Sequence, residues 1–113
     1  MKVSTRERDG VLIIELKGKI TIGVGDVALR EAVQEALNGG AHNILINLRD
    51  VTTIDSSGIG ELVAAFTTVT NRGGKLRLFS IPPKVSDILQ ITQLITVFDV
   101  LENEDEAIAS FDS

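Results

Sequence analysis

The stretch from Asn43 to Val69 constrains this chain more than any other. An apolar run at Ile44, Leu45, Ile46 and Leu48 is short enough, from Asn43 to Leu48, to be a buried strand. Beyond it Ile59, Leu62, Val63, Phe66 and Val69 fall at helical spacing, so a helix from about Ser57 to Arg72 has one apolar face. Between strand and helix lie Asp55-Ser56-Ser57-Gly58-Ile59-Gly60: an acid, two hydroxyls and two glycines at a handover. Backbone N–H groups at a helix start lack partners within the helix, and the helix dipole favours negative charge there. A hydroxyl at this point can cap the helix, and a phosphate on it meets a favourable field.

The same residues have a purely structural reading, because Asp and Ser are ordinary N-caps and glycine is ordinary in tight turns. Catalytic readings fit worse. A nucleophile elbow needs Gly two places before the serine, where this chain has Ile54 and Asp55. A dinucleotide fingerprint from Gly58 and Gly60 would end on a third small residue, where Val63 stands. No Gly-Lys-Ser or Gly-Lys-Thr occurs, which excludes a P-loop.

Asp55-Ser56-Ser57-Gly58-Ile59-Gly60, after Leu48-Arg49-Asp50-Val51-Thr52-Thr53-Ile54, resembles the signature of the STAS-domain anti-sigma-factor antagonists. The resemblance takes in Leu29-Arg30-Glu31-Ala32-Val33 and Gly73-Gly74-Lys75-Leu76, and so covers nearly the whole chain. It implies that the first serine after the acid, Ser56 by position, is phosphorylated by a serine kinase that is also the anti-sigma factor. Unmodified, the chain would bind that kinase and free a sigma factor. Phosphorylated, it would let go, and a serine phosphatase would reset it. Asp55 would orient the loop or the serine hydroxyl. Ser57, Gly58, Ile59 and Gly60 complete the motif, and Lys19 and Thr21 stand where the family carries an acidic pair that commonly meets the partner. Gln93 stands where a glycine is common in a Thr-Gly-Leu turn.

Bulk properties agree with a soluble module. At 113 residues the chain is expected to be one domain, 1–113. With 43% hydrophobic and 24% charged residues it reads as globular, and its net charge of -5 argues against nucleic acid and anionic lipid. No apolar run approaches the roughly 20 residues of a spanning helix, so no direct membrane insertion is expected. Lys2, Arg6, Glu7, Arg8 and Asp9 occupy the place where a secretory leader would be apolar, which makes the cytoplasm the expected compartment. Without cysteine there is no disulfide and no thiolate metal site.

In chain order, Lys2 to Arg8 and Val11 to Leu16 read as an antiparallel hairpin about Asp9-Gly10, with Gly18 ending the second strand. Lys19 to Gly25 reads as a loop. Asp26 is placed to cap a helix with Leu29, Ala32, Val33, Ala36 and Leu37 on one face, stopped by Asn38-Gly39-Gly40. Lys75 to Phe79 is a strand, Pro82-Pro83 opens a short helix, Thr96 to Val100 reads as a last strand, and Asn103 caps a final helix. The fold class is α/β: STAS-like, a small, mostly parallel mixed sheet behind an antiparallel hairpin, with about four helices.

The single histidine, His42, precedes the central strand, the wrong end for an active loop in a parallel sheet, and reads as a solvated turn residue. No metal site, cofactor or nucleophile–base pair is visible, so the chain reads as a non-enzyme; the resemblance implies that it receives a phosphoryl group, and it is expected to be a monomer when free. Its docking rim is expected at the start of the helix after Ser56 together with the Lys19–Gly25 loop, kept low by Gly23, Gly25, Gly58 and Gly60. Two alternatives stand beside this reading: a STAS subunit of a membrane transport or lipid-trafficking ATPase, and a small enzyme of unassigned chemistry.

Overall fold

A computed structural model describes residues 1–112; Ser113, the last residue of the expected domain, lies outside them. Strands β1 (Lys2–Arg8) and β2 (Val11–Ile20) form the antiparallel hairpin. Its two-residue turn has Asp9 at φ 52° and Gly10 at φ 79°, the doubly left-handed geometry that follows strand twist. Strands β3 (Asn43–Ile54), β4 (Lys75–Phe79) and β5 (Val100–Leu101) add in parallel, so spatial order equals chain order. Helices α1 (Gly25–Asn38), α2 (Ser56–Asn71), α3 (Pro83–Ile91) and α4 (Glu104–Ser110) make the connections and the C-terminal cover. This is the expected α/β class with four helices and a mostly parallel sheet.

β2 and β3 read as continuous apolar runs because both of their faces are covered. On one face Ile14, Leu16, Ile44, Ile46 and Leu78 pack with Leu29 and Val33 of α1, Leu62 and Val69 of α2, and Val85 and Leu89 of α3. On the other, Val11, Ile13, Leu45 and Phe79 lie under Ala107 and Ile108 of α4 and Phe111 just beyond it. Arg6 and Arg8 of β1 fasten α4 from the side: both pair with Glu104, and Arg8 reaches Asp105 at 2.7 Å. Arg77 of β4 lies over the Phe111 ring at 4.7 Å, a cation–π contact.

Several boundaries differ from those expected. β3 does not stop at Leu48 but continues to Ile54, because Val51 and Ile54 stay buried while Arg49, Asp50, Thr52 and Thr53 face water. β2 passes Gly18, which sits at φ 120° between two register shifts and lets Lys19 and Ile20 pair with Thr53 and Ile54. The expected loop from Lys19 is thereby shortened. Asp26 is not the N-cap of α1; Val24 holds that place, and Asp26 lies buried in the first turn with its carboxylate accepting from the N–H of Val27. The last strand is Val100–Leu101 rather than Thr96–Val100. A short 3-10 turn, Leu94–Thr96, takes up the first part, and Phe98 turns inward to meet Phe66 edge-on at 5.6 Å. Gln93, where glycine was the family expectation, adopts φ 61°, so the left-handed turn forms without the glycine.

The consequence for function lies at the sheet's carboxyl rim. Pairing of β3 with β4 ends at Asn47, but pairing with β2 runs on to Ile54. The ends of β2 and β3 therefore form a two-stranded arm, and each strand hands over there to a helix.

Candidate functional site

The site is built from that arm. Asp55 leaves β3 with extended backbone and caps α2, its Oδ1 accepting from Gly58 N–H at 2.9 Å. Its Oδ2 accepts from the N–H of Ile22 at 3.0 Å, in the loop between β2 and α1. The Asp55 N–H in turn donates to the carbonyl of Ile20 at 3.3 Å. One residue thus joins both connections of the rim. The N–H of Gly58, then that of Ile22, holds the Asp55 carboxyl below its ordinary range, because each donor favours the ionised form.

Two glycines make the close fit. A Cβ on Gly58 would lie 2.1 Å from the Ile20 carbonyl oxygen and 2.7 Å from Ile54 Cγ1. A Cβ on Gly25 would lie 2.0 Å from the Lys19 carbonyl oxygen. Both helix starts are therefore packed directly on the last residues of β2. Gly58 and Gly25 are buried and serve packing, whereas Gly23 and Gly60 are exposed with open space around them. Gly23 and Gly60 leave the exposed rim without side chains, and Gly25 and Gly58 let the two helix starts sit close on β2.

Ser56 is the first residue of α2 and is exposed; Ser57, next to it, is half-buried. Because Asp55 performs the capping, the Ser56 hydroxyl is not needed for it. Ser56 and Gly60 lie one helical turn apart on the same outward face, so a group added to Ser56 meets no side chain at that neighbour. Ser57 has Glu61 at the same spacing, and Glu61 is paired with Arg30 of α1 at 2.6 Å. Ile59 is turned into the core and shapes the surface only from beneath.

Lys19 is exposed on β2 opposite Thr53, and Thr21 is half-buried, its carbonyl accepting from Asp26 N–H at 3.2 Å. Both belong to the rim that carries Ser56. His42 is exposed immediately before β3, at the opposite end of the strand, as expected. Two rim residues went unremarked in the sequence: Ile22 and Val24 are 73% and 65% exposed. Their signal was present as an apolar alternation, Ile20, Ile22 and Val24 with Thr21 and Gly23 between them, that runs on past the end of β2.

Among the described residues no three histidine, aspartate or glutamate side chains cluster as a metal site requires. No helix among them is long and apolar enough to cross a membrane. What the arrangement offers is an exposed hydroxyl at a helix start, held on a rigid rim. A five-stranded mixed sheet with this strand-to-helix signature defines a class, and the STAS domain model matches residues 2–107. The chain belongs to the STAS-domain family.

Its relatives include the anti-sigma-B factor antagonist of Bacillus subtilis, 28% identical over 100 residues, covering 88% of this chain and 90% of that protein. The anti-sigma factor antagonist from Mycobacterium paratuberculosis superposes with a TM-score of 0.87 at 20% identity, over 99% of this chain and 94% of that one. The Bacillus cell fate determinant SpoIIAA in its phosphorylated form gives 0.72 at 21% identity, over 96% and 98%. These likenesses at low identity bear on the fold.

Proposed function

We propose that this chain is an anti-sigma-factor antagonist switched by phosphorylation of Ser56. Unmodified, it binds an anti-sigma serine kinase and displaces the sigma factor which that kinase holds. The kinase transfers the γ-phosphoryl group of ATP to Ser56 Oγ: the new P–O bond forms, the bond to ADP breaks, and the hydroxyl proton is released. A serine phosphatase hydrolyses the ester and restores binding. The free protein acts as a monomer in the cytoplasm, where its target works, and contributes no catalytic group of its own.

The observation that carries this reading is the division of labour between Asp55 and Ser56. Asp55 caps α2, so Ser56 stands exposed at its first position with no structural duty to lose. A phosphate adds about -1.5 to -2 charges, which the helix dipole accommodates in the free protein. At a dehydrated protein interface the same dianion is costly. The modification therefore acts on binding rather than on folding. The relatives named as anti-sigma factor antagonists support the partner class, and a phosphorylated form of SpoIIAA supports the chemistry.

The test is phosphorylation with purified anti-sigma serine kinases of the source organism and ATP, followed by site mapping by mass spectrometry. Phosphate on Ser56 is expected. Phosphate confined to Ser57, or none from any such kinase, contradicts the reading.

A further inference from the structure

The geometry points to Ile22 and Val24 as the apolar anchors of the kinase contact, seated in an apolar pocket of the anti-sigma serine kinase. The inference rests on the reading of Ser56 as the switch and adds the surface through which that switch is felt.

Ile22 and Val24 are 73% and 65% exposed on a connection whose backbone is held at several points. The N–H of Ile22 is bound by Asp55, the carbonyl of Thr21 by Asp26 N–H, and the carbonyl of Val24 by Ala28 N–H at 3.0 Å. Gly25 is pressed against the Lys19 carbonyl, so the segment has no room to settle inward. The fold does not ask for apolar side chains here. Val24 is the N-cap of α1 and makes no side-chain cap. The first-turn N–H groups are satisfied instead by Thr21 and by the Asp26 carboxylate. On a backbone tied at these points, two β-branched apolar side chains with few χ1 options lose less freedom on docking than longer side chains would.

The occupant follows from continuity and charge. The carboxylate that binds Ile22 also caps the helix carrying Ser56, so a kinase that reaches Ser56 covers the loop as well. From Ile20 to Gly25 the chain carries no charge, and the matching surface is therefore apolar. Closing it requires the neighbouring serine to lose water. A neutral hydroxyl tolerates that loss and a phosphate dianion does not, which explains how a modification beside the anchors ends the contact.

The test uses the purified anti-sigma kinase that phosphorylates Ser56 and compares wild type with the Ile22→Ser/Val24→Ser double variant. The variant is expected to bind at least about tenfold more weakly through faster dissociation, similarly at low and high salt, with its melting temperature unchanged. Equal dissociation rates, with the wild type bound and phosphorylated on Ser56, overturn the anchors and leave the switch standing. Concentration-dependent dimerisation of wild type that the double variant abolishes also overturns them, by assigning the patch to a second copy. A wild type that no such kinase binds or phosphorylates removes the switch itself, and the anchors with it.

Discussion

The carboxylate of Asp55 accepts from the N–H of Ile22 at 3.0 Å and, through its other oxygen, from the N–H of Gly58 at 2.9 Å. A residue whose visible role is to cap α2 therefore also fixes the β2–α1 loop. Replacing Asp55 with Ala is expected to lower the melting temperature and to speed amide exchange at both Gly58 and Ile22. Hydrogen exchange followed by NMR checks the pair. Faster exchange at Gly58 alone would mean that the loop is held by other contacts.

The two motif glycines should respond oppositely to a methyl group. Gly58→Ala drives a Cβ to 2.1 Å from the Ile20 carbonyl oxygen, and overpacking of this kind costs about 1–3 kcal/mol. Gly60→Ala meets nothing within 4 Å and should stabilise α2 by about 0.5–1 kcal/mol. Denaturant unfolding of the two variants measures both. Gly60→Ala should nevertheless weaken kinase binding, since its methyl group stands one turn from Ser56 on the face proposed for docking.

The clasp between β1 and α4 gives a pH dependence with a definite sign. Arg6, followed by Arg8, holds the Glu104 carboxyl down to about 2 from its ordinary 4.5, with burial opposing them. A carboxyl depressed in the folded state stabilises it fully above its ordinary value and loses that contribution as pH falls towards the folded value. The melting temperature of wild type should therefore fall more steeply than that of Glu104→Gln between pH 4.5 and about 2. The Arg6 and Arg8 side chains are 42% and 38% exposed, so high salt should shrink the difference.

How far the sequence foretold this molecule depended on whether a feature was local. The hairpin at Asp9-Gly10, the stripe of α1 and the Asn103 cap are written in adjacent residues, and Asn103 does accept from Glu106 N–H at 2.9 Å. The end of β3 was not legible because Arg49-Asp50 and Thr52-Thr53 interrupt the apolar run, and only pairing with β2 keeps them in a strand. Asp26 looked like a cap because its residue type favours that place, but tertiary packing of Gly25 moved the helix start ahead of it. The Arg6–Glu104 pair joins residues 98 positions apart, which no local pattern encodes. At the candidate site, the motif foretold the placement of Asp55 and Ser56 at the start of α2. The Asp55–Ile22 bond and the exposure of Ile22 and Val24 depend on where two separate connections meet.

Charge at the rim should act on association. Lys19 is exposed on the arm that leads to the loop, whereas His42 lies at the other end of β3. Lys19→Glu is expected to change the association rate for the kinase and its salt dependence, as rim charges do. His42→Glu should change neither. Stopped-flow association at two ionic strengths separates them, and the reverse pattern would place the partner on the wrong end of the sheet.

The central claim is that phosphate on Ser56 abolishes partner binding while the fold persists. Its most direct measurement is the affinity of one purified anti-sigma kinase for this protein before and after stoichiometric phosphorylation, with thermal unfolding of both forms alongside. The account predicts that affinity drops by at least about a hundredfold, or roughly 2.7 kcal/mol, while the melting temperature stays within a few degrees. Equal affinity of the two forms, or loss of binding that accompanies unfolding of the phosphorylated form, would contradict it.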